Sequence, residues 1–211
     1  MNTLLIEGAS SAYGYFDFEA GGWAGRLKTR KMQEGMDNIL ESTLVINNAL
    51  PGQSLAGVTR ELQARIQNYQ RFGLVAVAAQ VGLNEAKIYP PNTRPVVSAL
   101  YFGGQVLRFC EIVQSEGSVP ILVGPGPVDE SHDLPAISGA VLRNDAISAY
   151  ADVMRETAER QGAVYVDIRQ AYADSGYSMD DLVAREDGSH PSPLGHAVIA
   201  DAVYQCLPFK G

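Results

Sequence analysis

Residues 4–10 read Leu-Leu-Ile-Glu-Gly-Ala-Ser, a short apolar run that ends at a glycine and is followed by a serine. Further runs rich in branched apolar residues follow at residues 43–47, 74–81, 119–123 and 164–167. Runs of this length, with apolar residues on both faces, are typical of strands buried inside a parallel sheet. The pattern therefore predicts about five strands, the first of which ends just before Ser10.

The segments between these runs space their apolar residues as helices do. The clearest has steps of three and four from Leu55 to Ile66, which predicts one helix that begins after an N-cap at Ser54 and ends near Arg71. Further helices are predicted over residues 95–114, 145–160 and 192–206. Strands that alternate with helices favour a three-layer α/β/α sandwich around a central parallel sheet of about five strands. We expect one domain over residues 1–211.

Residues able to do chemistry fall just beyond the ends of the first three predicted strands. They are Ser10, Gly52 and Asn84. Because the carboxyl ends of parallel strands lie along one edge of the sheet, where open α/β sheets bind their ligands, the fold would bring these residues together. Asp187 lies three residues before His190, close enough for its carboxylate to accept an N–H of the imidazole. Together these groups could attack an ester and hold the resulting oxyanion.

The composition argues against several other classes of protein. Apolar residues make up 46% of the chain and charged residues 19%, which is ordinary for a globular protein. The net charge is −8 and the basic residues are scattered, so no nucleic-acid partner is expected. No apolar stretch approaches the roughly 18 residues that a membrane span needs, so no membrane partner is expected either. Cys110 and Cys206 are predicted to be reduced core residues without a metal-binding spacing.

Four short segments together resemble the SGNH subgroup of the GDSL esterases and lipases. Residues 8–10 (Gly-Ala-Ser) are similar to its first block, Gly-Asp-Ser, and residues 47–52, an Asn followed later by a Gly, to its second. Residues 82–85 (Gly-Leu-Asn-Glu) are similar to the third block, Gly-x-Asn-Asp, and residues 187–191 (Asp-Gly-Ser-His-Pro) to the last, Asp-x-x-His-Pro. Each block is weakly specific alone, but all four occur in the family's order. The resemblance implies the flavodoxin-like SGNH hydrolase fold.

The resemblance and the chemistry of the residues assign the same roles. Ser10 would attack the ester carbonyl, His190 would accept its proton, and Asp187 would fix the imidazole tautomer. The backbone N–H groups of Ser10 and Gly52 and the side-chain amide of Asn84 would hold the oxyanion. The hydrolytic step needs only water, so neither a metal nor an organic cofactor is implied.

The walls of the site would set the substrate. We expect Tyr13, Asn48 and Glu85 to line the substrate pocket, together with the loop at residues 87–94. The loops at residues 13–22, 124–144 and 174–188 are expected to surround it. Small residues near Ser10 favour short acyl chains, so the expected substrate is a small-molecule ester of the acetyl type. No targeting segment is recognisable in the first residues, which favours the cytoplasm, and the sequence does not indicate an oligomeric state.

Two positions depart from the family pattern and leave alternatives open. Ala9 stands where the family has Asp, and Glu85 replaces the Asp beside Asn84. Ala9 leaves open a non-catalytic ligand-binding relative of the same fold, and an acyltransferase would share the acyl-enzyme chemistry. A nucleotide- or flavin-binding protein, with residues 8–14 as a phosphate loop, is a third alternative. That segment lacks the Gly-x-Gly spacing, and the alternative gives no role to Asp187 and His190.

Overall fold

The computed structural model describes residues 1–36, 42–131 and 139–209, so the predicted loop at residues 124–144 lies partly outside the described residues. The strands are β1 (Asn2–Gly8), β2 (Thr43–Asn47), β3 (Val75–Gln80), β4 (Val119–Val123) and β5 (Val164–Val166). The helices are α1 (Ser10–Tyr13), α2 (Gly22–Glu34), α3 (Leu55–Val58), α4 (Leu62–Gln70), α5 (Ala99–Ser115), α6 (Asn144–Gln161), α7 (Ile168–Asp174), α8 (Met179–Leu182) and α9 (Pro193–Gln205). None of the helices in these residues has both the length and the apolar character to cross a bilayer.

The five strands form one parallel sheet in the order β2-β1-β3-β4-β5. The chain first moves from β1 to one neighbour, β2, and then crosses to the other side of β1 to form β3. At such a switch point, doubly wound sheets leave a crevice beyond the carboxyl ends of the strands, and ligands bind there. Gly8 lies opposite Gln80 at this edge. The parallel α/β fold predicted from the sequence is confirmed.

Helices cover both faces of the sheet, each over its own apolar cluster. Leu4 and Ile6 of β1 contribute to the cluster beneath α2 and α9, whereas Leu5 contributes to the cluster beneath α4, α5 and α6. Trp23 of α2 and Phe102 of α5 are fully buried, one in each cluster. Because successive strand residues point to opposite faces, a central strand covered on both sides is apolar along most of its length.

The predicted helix over residues 54–71 is wrong in one respect, because it is two helices, α3 and α4, separated by residues 59–61. Ser54 caps the first as predicted, and its Oγ accepts the N–H of Gly57 at 3.3 Å. After one turn, the Thr59 hydroxyl donates to the Ala56 carbonyl at 3.1 Å, a local bond of the kind that competes with a continuing helix. The apolar spacing did not reveal the break, because both helices bury their apolar residues in the same cluster.

Three further helix ends coincide with capping residues. Ser98 caps α5, with its Oγ accepting the N–H of Tyr101 at 3.2 Å, so the helix begins four residues later than predicted. Gly162 follows α6 with a left-handed φ of 64°, a conformation that commonly ends helices. Ser192 caps α9 and accepts the N–H of Gly195 at 3.1 Å. Serine side chains thus set where α5 and α9 begin.

Candidate active site

A sharp turn after β1 presents Ser10 at the edge of the sheet. Gly8 ends the strand with a φ of +142°, and a Cβ there would come within 2.3 Å of the Gln80 carbonyl oxygen. A residue without Cβ is therefore needed where β1 turns beside β3. Ala9 follows in an extended conformation, and α1 begins at Ser10. Both Ala9 and Ser10 line a cavity at the carboxyl ends of the strands.

The structure brings Ser10, His190 and Asp187 together at this cavity. His190 Nε2 lies 2.7 Å from the Ser10 Oγ, although the two residues are 180 positions apart in the chain. On the other side of the ring, His190 Nδ1 is hydrogen-bonded to the Asp187 carboxylate. A carboxylate at Nδ1 holds the proton there, so that Nε2 is free to accept the proton of the Ser10 hydroxyl.

The Asp187 carboxylate is held in its ionised form. Its Oδ1 accepts the backbone N–H groups of Ser189 at 2.9 Å and of His190 at 3.0 Å. Burial raises the pKa of Asp187, but the hydrogen bonds and the charge of His190 outweigh burial and lower the pKa to about 2. Asp187 is therefore an anion at neutral pH.

Two aromatic rings hold the face of the His190 imidazole. The Tyr15 ring stacks on it with a centroid distance of 5.3 Å and an interplanar angle of 26°, and the Phe16 ring lies at 5.6 Å. Phe16 has a φ of 65°, which is uncommon for a bulky residue. Both residues belong to the loop that the sequence predicted near the site, but their contact with His190 was not predicted. The rings limit the rotation of the imidazole away from Ser10.

A second histidine, His196, is buried behind this loop, and both of its ring nitrogens are hydrogen-bonded to backbone groups. Its Nδ1 accepts the backbone N–H of Trp23 at 3.2 Å, and its Nε2 donates to the Tyr15 carbonyl at 2.8 Å. These bonds require the neutral imidazole, and burial lowers the pKa of His196, which keeps the ring uncharged. The indole N–H of Trp23 donates in turn to the side-chain oxygen of Gln80 at 2.7 Å. His196 therefore joins α9 to α2 and to the Tyr15 loop.

Besides the Ser10 backbone N–H after β1, the candidate oxyanion donors lie on the loops after β2 and β3. Asn84 lines the cavity, and its Nδ2 donates one hydrogen bond to the Gln53 carbonyl at 3.1 Å. Gln53 directly follows Gly52, so this bond ties the two loops together. Gly52 has a φ of 78° and is exposed, and space around it is open. Gly52 needs to be glycine for its positive φ, and it is not among the residues that line the cavity.

The three residues expected as pocket walls do not line this cavity, which corrects that expectation. Glu85 is buried, and its carboxylate accepts the N–H groups of Leu55 at 2.7 Å and Gly82 at 3.0 Å. The Asn48 amide donates to the Glu7 carboxylate at 2.9 Å. Tyr13 is 52% exposed and contacts the Tyr15 ring at a centroid distance of 5.9 Å. Glu85 and Asn48 therefore support the loops rather than face a substrate.

The cavity has a volume of about 320 Å³ and an apolar wall. Its lining consists of Ala9, Ser10, Ser11, Gln80, Val81, Leu83, Asn84, Lys87, Pro125, Leu142, Asp187, Ser189 and His190. Of these, Pro125 and Leu142 come from opposite ends of the long loop between β4 and α6, which the sequence could not place in detail. Gln80 could have been predicted as a site residue from the sequence, because it is a polar residue at the end of an otherwise apolar strand. Lys87 begins the loop that was expected to form a wall.

A model of the GDSL-like lipase/acylhydrolase family matches residues 8–198. The chain belongs to this family. As a GDSL-like acylhydrolase it is a carboxylic ester hydrolase. No curated protein matches the chain in sequence.

Solved structures resemble this GDSL-like acylhydrolase in fold. LAE5, an α/β hydrolase from the metagenome of Lake Arreo, Spain, is 20% identical, with 97% of this chain and 94% of that chain covered and a TM-score of 0.74. A lipase/acylhydrolase from Enterococcus faecalis is also 20% identical, with 97% and 94% covered and a TM-score of 0.71. Axe2, an acetylxylan esterase from Geobacillus stearothermophilus, is 17% identical, with 99% and 94% covered and a TM-score of 0.74. At these identities the likeness concerns the fold.

Proposed function

We propose that the protein is a serine esterase that hydrolyses carboxylic esters through an acyl-enzyme formed on Ser10. The observation that carries the proposal is the 2.7 Å contact between Ser10 Oγ and His190 Nε2, with Asp187 behind the imidazole. The Ser10 oxygen attacks the ester carbonyl while its proton passes to Nε2, and that proton then leaves with the alcohol. A water molecule attacks the acyl-enzyme in the same way, returning the acid and free Ser10.

The negative charge that develops on the carbonyl oxygen needs hydrogen-bond donors. We assign the backbone N–H groups of Ser10 and Gly52 and the side-chain amide of Asn84 to this role. An amide nitrogen carries two hydrogens, and Asn84 uses one on the Gln53 carbonyl, so the second is available to the substrate. Donors held in place before the reaction stabilise the transition state without reorganising, and each contributes about 10²–10³ in rate.

A short acyl group, such as acetyl, fits the proposal best. The cavity of about 320 Å³ lies at the low end of the volumes of small-molecule sites. Axe2, which has the same fold, is an acetylxylan esterase. The substrate is thus proposed to be a small-molecule ester, and the cytoplasmic location stays a prediction.

Two alternatives share this fold, a non-catalytic binding relative and an acyltransferase, and each can be distinguished from an esterase. The arrangement of Ser10, His190 and Asp187 supports catalysis over a non-catalytic binding relative, since binding alone needs no base beside a hydroxyl. An acyltransferase would use the same groups but transfer the acyl group to an alcohol. Adding an alcohol to the assay tests this directly, because a transferase would form a new ester at the expense of free acid.

The experiment that tests the proposal replaces the nucleophile. Ser10→Ala should abolish hydrolysis of 4-nitrophenyl acetate while circular dichroism and thermal unfolding remain close to wild type. A serine-directed fluorophosphonate should label the wild type at Ser10. Ser115→Ala, which changes an exposed serine at the end of α5, is the matched control and should keep full activity. Full activity in Ser10→Ala, or labelling at another serine, would overturn the assignment.

A further inference from the structure

Lys87 contributes a basic side chain to the lining of the active-site cavity, in addition to the His190 imidazole. It is half-buried, and it shares the cavity wall with the apolar side chains of Leu83, Pro125 and Leu142. The same lining contains one acidic side chain, Asp187, which is already hydrogen-bonded to His190. A lysine in such a wall calls for an explanation, because an ammonium group loses hydration wherever apolar side chains cover it.

The backbone around Lys87 is held on two sides. Ile88 and Val141 form an antiparallel bridge, with N–H to carbonyl distances of 2.9 Å and 2.8 Å in the two directions. The next pair along the two segments is Lys87 and Leu142, whose side chains lie on the face opposite to that of the bridging pair. The Lys87 carbonyl also accepts the N–H of Val96 at 2.9 Å. These bonds set the position of Lys87 in the wall of the cavity.

Lys87 has no acidic partner within the described residues. The ion pairs there join other basic residues to carboxylates, as between Lys31 and Glu34 at 2.8 Å. The chain as a whole has a net charge of −8, so its long-range field disfavours anionic ligands. A local cation inside the cavity would offset that field at the site itself, where the apolar wall reduces screening.

The two halves of an ester occupy different sides of a serine hydrolase site. The leaving alcohol must receive a proton from His190 Nε2, so it lies on the His190 side. The acyl group then extends away from His190, into the rest of the cavity. Lys87 comes three residues after Asn84 and belongs to the lining of this cavity. A negative charge at the far end of a short acyl chain would therefore meet the Lys87 ammonium.

We propose that Lys87 selects esters whose acyl group ends in a carboxylate, that is, half-esters of short dicarboxylic acids. The inference rests on the proposed serine-esterase function of the same site, and among short acyl groups it places those that carry a terminal carboxylate above acetyl. The acyl chain contacts the apolar wall, and Lys87 Nζ pairs with the terminal carboxylate. The competing arrangement has the Lys87 stem along the apolar wall with its ammonium in bulk water, in which case the charge selects nothing.

The test compares charged and neutral esters of matched length. Monoethyl succinate, glutarate and adipate are paired with ethyl pentanoate, hexanoate and heptanoate, and ethanol release is measured. The wild type should prefer a half-ester over its neutral partner in kcat/KM, and added salt should reduce the preference. Lys87→Met should lower the ratio of charged to neutral kcat/KM by about tenfold, mainly through KM, which corresponds to about 1.4 kcal/mol of binding. Lys87→Arg should keep most of the preference.

The control is Lys28→Met, which removes an exposed lysine on α2 and should leave the wild-type ratio unchanged. A wild type that hydrolyses neutral esters without favouring any half-ester would overturn the role of Lys87 and leave the proposed function standing. If a folded Lys87→Met variant loses activity towards the charged and the neutral esters in equal proportion, the role of Lys87 is likewise overturned and the proposed function stands. A wild type inert towards every ester would overturn both. Should Lys87→Met not fold, inhibition of the wild type by free acids decides the question, since adipate should inhibit more strongly than heptanoate, and equal inhibition would overturn the role of Lys87.

Discussion

Asn84 has two roles at once, and this makes it the most informative single residue to change. Its amide is anchored by one hydrogen bond to the Gln53 carbonyl, so the remaining N–H points in a defined direction. A preorganised donor of this kind is most useful when charge develops, because it need not reorient during the reaction. The anchor also connects the loop that carries Asn84 to the loop that carries Gly52.

We expect Asn84→Ala to lower kcat by about 10²–10³ with a much smaller change in KM. The reason is that the hydrogen bond to the carbonyl oxygen strengthens only in the transition state. Steady-state kinetics with 4-nitrophenyl acetate measure both constants, provided the acylation step limits the rate. The exposed Asn92 offers a control, and Asn92→Ala should behave as wild type. A rise in KM with unchanged kcat would instead assign Asn84 to ground-state binding.

At the scale of whole elements, a buried carboxylate joins β1 to α4 and to the loop after β2. Glu7 is fully buried directly before the turn that carries Ser10. Its carboxylate accepts Arg65 Nη1 at 2.6 Å and Asn48 Nδ2 at 2.9 Å. Burial raises the pKa of Glu7, and the Asn48 hydrogen bond and the Arg65 charge oppose that rise. The end of β1 is thus held to both neighbouring segments through one side chain.

Arg65→Met should destabilise the fold by about 3 kcal/mol at pH 8, the low end for breaking a buried ion pair, because Arg65 is partly exposed. Without Arg65 the pKa of Glu7 rises further, so folded Glu7 keeps its proton at pH values where unfolded Glu7 has lost it. The folded state then binds more protons, and stability falls as pH rises through this window. Urea unfolding should therefore show a larger penalty at pH 8 than at pH 5.

Two further variants check this reading of the Glu7 pair. Glu7→Gln combined with Arg65→Met removes the buried charge and should recover part of the lost stability. Arg108→Met changes an exposed arginine on α5 and should leave the free energy of unfolding close to that of wild type. A penalty in Arg65→Met that is the same at pH 5 and pH 8 would mean that lost packing, rather than the unpaired charge, causes it.

For the molecule as a whole, His196 couples stability to the active-site loop. It accepts from the backbone of α2, donates to the Tyr15 carbonyl, and sits on α9, so three separate segments meet at one imidazole. Protonation would place an N–H on Nδ1, opposite the Trp23 N–H, and two donors cannot bond to each other. Burial accordingly lowers the pKa of His196, since the charged ring is disfavoured in the folded state.

We expect His196→Gln to reduce the loss of stability on acidification. In the wild type, the unfolded chain takes up a proton at His196 below about pH 6.5 while the folded chain does not, so stability falls as pH falls. Gln cannot be protonated, yet its side chain can accept from Trp23 and donate to the Tyr15 carbonyl. Thermal unfolding from pH 7.5 to 5 should show a shallower decline in the variant. Parallel declines in the two proteins would contradict the role of His196.

The residues of the candidate site could be named from the sequence because of how a parallel sheet is built. Ser10, Asn84 and the Asp187–His190 pair were found from their positions after apolar runs and before the last helix. A parallel sheet collects the carboxyl ends of its strands at one edge, so position relative to a strand end already implies proximity. The strands themselves were readable because burial on both faces leaves a continuous apolar run.

Only the tertiary structure decided which side chains face the cavity. Glu85 and Asn48 lie beside expected site residues, yet one turns to the backbone of Leu55 and the other to buried Glu7. Lys87 reaches the wall because its segment bridges to a segment far along the chain. Local sequence patterns specify whether a segment forms a helix or a strand and where that element ends. The direction of a loop side chain depends on contacts between distant segments, which the sequence specifies only through the completed fold.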